Sequence, residues 1–204
     1  AERYFKHPPR PEDVVWSFAG VRPLYGDPGK DASGLTRDYL LDLKTGAGGA
    51  SLLSVYGGKI TTYRTLAEAA LELLGPLLGD SGEPWTGTAP LPGGDLGPDG
   101  LDGFIERTLE ARPWLPPSLC RRYGRTYGAR LERLLEGISV IGGLGRDFGA
   151  GLHEAEARYL MEREWARQSD DILWRRTKLG LKAPDGMAGR LGEWMAQRRE
   201  GVPE

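Results

Sequence analysis

Residues 75–100 hold eight glycines and five prolines in 26 positions. Glycine loses the most freedom on ordering, and proline cannot donate to a helix or a ladder. That density excludes regular structure and predicts a linker or extended connection between residues 1–74 and 101–204. The two flanks have different textures, so the break also sets the fold class.

Upstream, Val14-Val-Trp-Ser-Phe18 is rich in β-branched and aromatic residues. Thr36–Leu43 alternates imperfectly, and Leu52–Tyr56 is a short apolar run ending in glycines. Tyr25–Gly34 and Lys44–Gly49 carry turn chemistry, which predicts loop-connected strands, antiparallel in part. A helix is expected from about Thr65 to Leu74. Downstream the period becomes helical: Leu131, Leu134, Leu135 and Ile138 fall on one face, as do Ala157, Leu160, Met161 and Trp165, and again Met187, Leu191, Trp194 and Met195. Ser169 ahead of Asp170-Asp171 suits a helix start. The expectation is an α+β chain, a short mixed strand and helix segment followed by an all-helical domain of five or six helices over 101–204.

Net charge is −2 across 204 residues, with residues 1–100 at −4 and 101–204 at +2. Neither half has the basic excess of a nucleic-acid binder. No apolar run approaches the length of a membrane span, and no signal-peptide pattern opens the chain. The first residue is Ala1 rather than a methionine, which fits a piece of something longer. A lone Cys120 rules out an internal disulfide framework.

The candidate site is Gly57-Gly-Lys-Ile-Thr-Thr-Tyr-Arg64, between an expected strand and an expected helix. A Walker loop fails here, because Leu53 and Ile60 stand where a glycine and a Ser/Thr are needed. Two glycines let the backbone approach a flat partner, and a helix start with unpaired N–H groups favours oxygen atoms. Thr61 and Thr62 are candidate caps, and Thr65 with Glu68 forms a capping-box pattern. On spacing alone a tight turn with a capped helix is the simpler reading. Arg22 precedes a proline and is held extended, suited to a carboxylate or phosphate or to an ordinary surface salt bridge. Arg37 has the same two readings, with Asp38 as a local partner.

Other features carry less. Gly143-Leu-Gly145 imitates a dinucleotide loop, but Phe148 replaces the third glycine, so a helix-ending glycine turn is expected. His153 with Glu154 and Glu156 lacks further ligands, so no metal site is expected and a solvated helix start is the better reading. Cys120 reads as a packed thiol, and Trp174-Arg-Arg-Thr-Lys178 as a solvated helix with local charge pairs.

Taken together, Trp16–Leu24, Thr36-Arg-Asp-Tyr39, Gly57–Arg64, Leu91-Pro-Gly-Gly94, Arg125-Thr-Tyr-Gly128 and Asp170–Gly180 resemble, in order, the FAD-dependent glycerol-3-phosphate dehydrogenases of the aerobic, quinone-linked kind. The resemblance implies that the chain is the C-terminal portion of such an enzyme, the tail of its substrate and FAD domains followed by its helical domain. It implies that Arg22, Arg37 and Lys59 lie on the substrate side of the flavin. Gly57, Gly58, Lys59, Ile60, Thr61 and Thr62 would then meet the flavin pyrimidine edge, with Lys59 stabilising the reduced ring. The family's G-x-G-x-x-G segment and its catalytic-base candidates have no match here, so no catalytic residue is assigned.

The resemblance implies glycerol 3-phosphate and quinone as partners of the parent, with a missing N-terminal FAD domain. An isolated fragment is expected to be inactive and not to retain FAD. A cytoplasmic location, peripheral on the inner face of the cell membrane, also follows from it. Scaffold, homodimer contact and partner docking are all open to the helical domain. The alternative is a free-standing helical module that binds protein or nucleic acid, against which the near-neutral charge counts.

Overall fold

The computed structural model describes residues 3–21, 38–46, 48–79 and 82–200. The chain forms two compact units, residues 1–89 and 90–204.

In the first unit, β1 (Tyr39–Lys44) and β2 (Leu52–Gly57) make an antiparallel hairpin, with Tyr39 opposite Gly57 and Lys44 opposite Leu52. Val14–Phe18, expected as a strand, forms none and is largely exposed. Trp16 stacks on Phe18 with ring centroids 5.3 Å apart, but no described strand pairs with the segment, and β propensity without a partner does not make a ladder. Helix α1 (Tyr63–Leu78) follows. It continues through Gly75 and Pro76, into the stretch expected to be linker. Pro76 lies in the last turn, where its φ is already helical and a single backbone bond is lost. Residues 82–88 then return along α1, with the Thr86 hydroxyl donating to the Glu68 carboxylate.

The second unit begins inside the Gly/Pro-rich stretch. Gly93 and Leu96 carbonyls accept from the Ala129 amide (2.9 Å) and the Arg107 guanidinium (2.6 Å), and Leu96 packs on the core. Its helices are α2 (Gly100–Ala111), α3 (Pro117–Tyr127), the single turn α4 (Leu131–Leu134), α5 (Glu154–Arg163) and α6 (Met187–Glu200). A π-helix spans Asp171–Arg176. The predicted α6 stripe is buried as read, with Met187, Leu191 and Met195 at 0% exposure. Cys120 is a packed thiol against the Ile105 carbonyl.

Three local expectations change. The domain is not wholly helical, because β3 (Asp147–Gly149) and β4 (Leu152–His153) form a small hairpin. Positive φ at Gly149, Ala150 and Gly151 turns the chain back so that Asp147 faces His153. Trp165 does not share the apolar face of α5. The helix ends at Arg163, Trp165 takes φ +53°, and its side chain is 76% exposed. The amides of Glu164 and Ala166 both reach the Leu160 carbonyl, and the Arg176 guanidinium takes the Glu164 carbonyl at 2.6 and 3.1 Å. Finally, the Asp171 carboxylate, not Ser169, accepts the amides of Arg167 (2.7 Å) and Gln168 (2.9 Å). Burial opposes its charge, yet these amides and Arg175 hold the Asp171 carboxyl below its ordinary pKa.

Candidate functional site

Strand β2 delivers the chain to Gly57 and Gly58, whose φ angles of +70° and +98° are positive. L-residues rarely adopt this region, so the two glycines allow the reversal at low cost. A Cβ on Gly58 would stand 3.4 Å from both Leu66 and Tyr39, so the turn lies against α1 and β1. Lys59 is extended (φ −105°, ψ 147°), and Ile60–Thr62 make a 3₁₀ turn that passes directly into α1.

The expected caps are not made. The Thr62 hydroxyl donates to the Lys59 carbonyl (2.9 Å), and the Thr65 hydroxyl donates to the Thr62 carbonyl (3.0 Å). Glu68 leaves the capping-box position and binds Arg64 at 2.8 Å together with Thr86. The Thr86 hydroxyl, aided by Arg64 and opposed by burial, holds the Glu68 carboxyl below its ordinary pKa. Among the described residues no side chain caps the 3₁₀ turn or α1. The start of this helical run therefore offers N–H groups without side-chain acceptors. Lys59, Ile60 and Thr61 are exposed, Ile60 at 88%. No salt bridge engages Lys59 among the described residues.

Gly57, Gly58, Lys59, Ile60, Thr61 and Thr62 thus form one contiguous turn carrying a cation; the Thr62 amide donates to the Lys59 carbonyl at 3.0 Å, and among the described residues no side chain caps the amides ahead of it. Chemically it suits the carbonyl or anionic oxygens of a flat ligand. Arg22 and Arg37 lie outside the described residues.

The second unit contains a polar cluster that sequence reading missed. Glu156, expected near a solvated helix start, is 0% exposed. It accepts two bonds from Arg122 (2.7 and 2.6 Å) and one from the Tyr127 hydroxyl (2.6 Å). Arg122 also donates to the Gly151 carbonyl at 2.7 Å, which joins α3, α5 and the β3–β4 turn. Burial and the adjacent Glu156 charge push the Tyr123 and Tyr127 phenols well above their ordinary pKa. Burial works against the Arg122 charge, but the Glu156 hydrogen bonds win and raise its pKa. The only sequence signal was a glutamate one position before Ala157 on the apolar face. The cluster points inward and acts as a structural staple in which Glu156, Arg122 and Tyr127 are paired, while the buried Tyr123 hydroxyl beside them has no hydrogen-bond partner among the described residues. Among the described residues no three His, Cys, Asp or Glu side chains converge as a metal site, and no helix is long and apolar enough to cross a membrane.

Comparison with known proteins places the chain in a family. Residues 85–198 match the C-terminal domain of alpha-glycerophosphate oxidase, and the chain belongs to that family. Three relatives align along nearly its whole length. D-erythritol 1-phosphate dehydrogenase of Brucella abortus is 46% identical over 192 residues, covering 94% of this chain and 38% of that protein. The aerobic glycerol-3-phosphate dehydrogenase of Escherichia coli is 44% identical over 194 residues, covering 95% and 38%. The glycerol-3-phosphate dehydrogenase of Pseudomonas aeruginosa is 45% identical over 192 residues, covering 94% and 37%. The chain therefore spans well under half the length of these relatives.

Proposed function

We propose that this chain is the C-terminal portion of an FAD-dependent polyol-phosphate dehydrogenase that oxidises glycerol 3-phosphate to dihydroxyacetone phosphate. The observation that carries the reading is the Gly57–Thr62 turn, which among the described residues has no side-chain cap and no salt bridge to Lys59. Residues of this kind fit the oxygen-bearing edge of a flavin. The backbone at Gly57 and Gly58 permits close approach, and the N–H groups from Gly58 to Thr61 are placed to donate to oxygen, the Thr62 amide being taken by the Lys59 carbonyl. Lys59 supplies positive charge where negative charge would develop. The chemistry FAD supplies when bound is acceptance of a hydride from C2 of the substrate. Arg22 and Arg37 are assigned to the substrate side, where a guanidinium fork matches a phosphate. The named relatives act on glycerol 3-phosphate or erythritol 1-phosphate, both polyol phosphates, and the arginine pair of this chain suits either. Quinone as electron acceptor, and with it peripheral attachment to the inner face of the cell membrane, belong to the same reading, as does a homodimer contact on the helical unit.

The first unit supports incompleteness. Among its described residues a two-stranded hairpin and one α-helix bury little, and Leu52, Tyr63 and Leu71 are at least half exposed. The purified 204-residue chain is accordingly expected to be colourless and inactive. The visible absorbance of bound flavin, together with substrate-dependent dye reduction, checks this. Stoichiometric flavin with turnover would overturn the incompleteness of the site.

A further inference from the structure

The Gly57–Thr62 turn leads into a helix whose start has no side-chain cap, and Arg64 places a cation in its first turn. Positive charge there opposes the helix macrodipole and would compete with Lys59 for any anionic oxygen at the turn. The structure turns Arg64 away. Its Nη1 donates to Glu68 Oε1 at 2.8 Å and to Thr86 Oγ1 at 3.4 Å, while the Thr86 hydroxyl closes the triangle on Glu68. Thr86 lies 22 residues beyond Arg64, on the segment that returns along α1. Gly87 follows directly, its Cβ position 3.5 Å from the Arg64 guanidinium, an ordinary contact distance. Glu68 and Thr86 are partly buried, and Arg64 is half-covered.

We infer that Arg64, Glu68 and Thr86 form a positioning clasp: it pins residues 82–88 to α1 and withholds the Arg64 charge, so that Lys59 is the cation the turn presents to its ligand. Arg64 acts through the helix start and is not itself a ligand contact. The inference rests on the flavin reading for its purpose, but the clasp can be tested in the chain without flavin.

The test is NMR of the 204-residue chain as wild type, Thr86→Val, Thr86→Ser and Glu68→Gln. In Thr86→Val the Glu68 carboxyl pKa is expected to rise toward the ordinary glutamate value. Amide signals of Lys59–Tyr63 are expected to shift, and α1 amides to exchange roughly two- to threefold faster, the scale of an exposed i,i+4 ion pair. Because the Glu68 pKa is lowered in the fold, the clasp holds at neutral pH. It loosens as pH falls through the folded-state value. Thr86→Ser keeps the hydroxyl and should restore the wild-type pattern, while Glu68→Gln should shift Lys59–Tyr63 at unchanged side-chain volume. Two outcomes overturn the inference: the Glu68 and Arg64 signals move while Lys59–Tyr63 stay fixed, or Thr86→Ser behaves like Thr86→Val. Either leaves the flavin reading standing, just as a chain that never meets flavin leaves the clasp standing.

Discussion

Replacing Glu156 by alanine is expected to cost the second unit about 3–5 kcal/mol, the range for removing one partner of a buried ion pair. The carboxylate has no exposure, and its loss strands the Arg122 guanidinium and the Tyr127 hydroxyl together. The Tyr127 hydroxyl would then sit buried beside a small cavity, and the partly buried Arg122 would keep only the Gly151 carbonyl. Glu156→Gln keeps the volume and one acceptor oxygen but removes the charge that offsets Arg122, so it should fall between wild type and alanine. Urea unfolding at constant m measures the loss. A change below about 1 kcal/mol for Glu156→Ala, the size of a surface pair, would show that Arg122 finds water and that the cluster is no staple.

Gly128→Ala is the second large effect. Gly128 ends α3 at φ +53°, and a Cβ there would stand 2.0 Å from the Gly93 carbonyl oxygen. Gly93 faces back in the same way, its own Cβ position 2.6 Å from the Tyr127 carbonyl oxygen. The two glycines meet backbone to backbone, and the Ala129 amide bonds the Gly93 carbonyl at 2.9 Å. No flexible side chain can yield. The Leu91–Gly94 turn would have to lift, losing that bond and loosening Leu96. Overpacking together with the left-handed backbone predicts a loss of about 3 kcal/mol. Gly137→Ala is the control, since Gly137 has φ +73° but open space around it, and should lose only about 1 kcal/mol. Equal losses at the two positions would show that backbone strain alone matters and the close approach does not.

Legibility in the sequence followed locality. The β1–β2 pair and the α6 stripe depend on short-range period and nearby turns, and Met187, Leu191, Trp194 and Met195 are buried as the period requires. The glycine pair ahead of Lys59 was also visible, because φ above zero is a local need. Trp165 was misplaced because the end of α5 is set by Arg176, 12 residues beyond the Glu164 carbonyl it binds. Glu156 was read as solvated because its partners come from α3, 29 and 34 residues away. The Thr65–Glu68 capping box matched a local pattern, yet a partner 18 residues from Glu68 took the carboxylate instead. Where a long-range hydrogen bond or ion pair decides, local pattern does not carry the answer. The Gly/Pro-rich stretch shows the same limit: its composition marks a break, but its last residues belong to the second unit through bonds to Arg107 and Ala129.

The proposed role of Gly57–Thr62 as one wall of a flavin site in a polyol-phosphate dehydrogenase is open to direct test. The most direct measurement is dye reduction by a chimera. In it, this chain replaces the aligned stretch of the Escherichia coli aerobic glycerol-3-phosphate dehydrogenase, 44% identical over 194 residues. A yellow protein that oxidises glycerol 3-phosphate is expected, with about 100-fold slower turnover in Lys59→Ala, the size of one lost electrostatic donor. A folded, flavin-loaded chimera in which Lys59→Ala leaves turnover unchanged would contradict it, as would one that holds flavin but does not oxidise glycerol 3-phosphate.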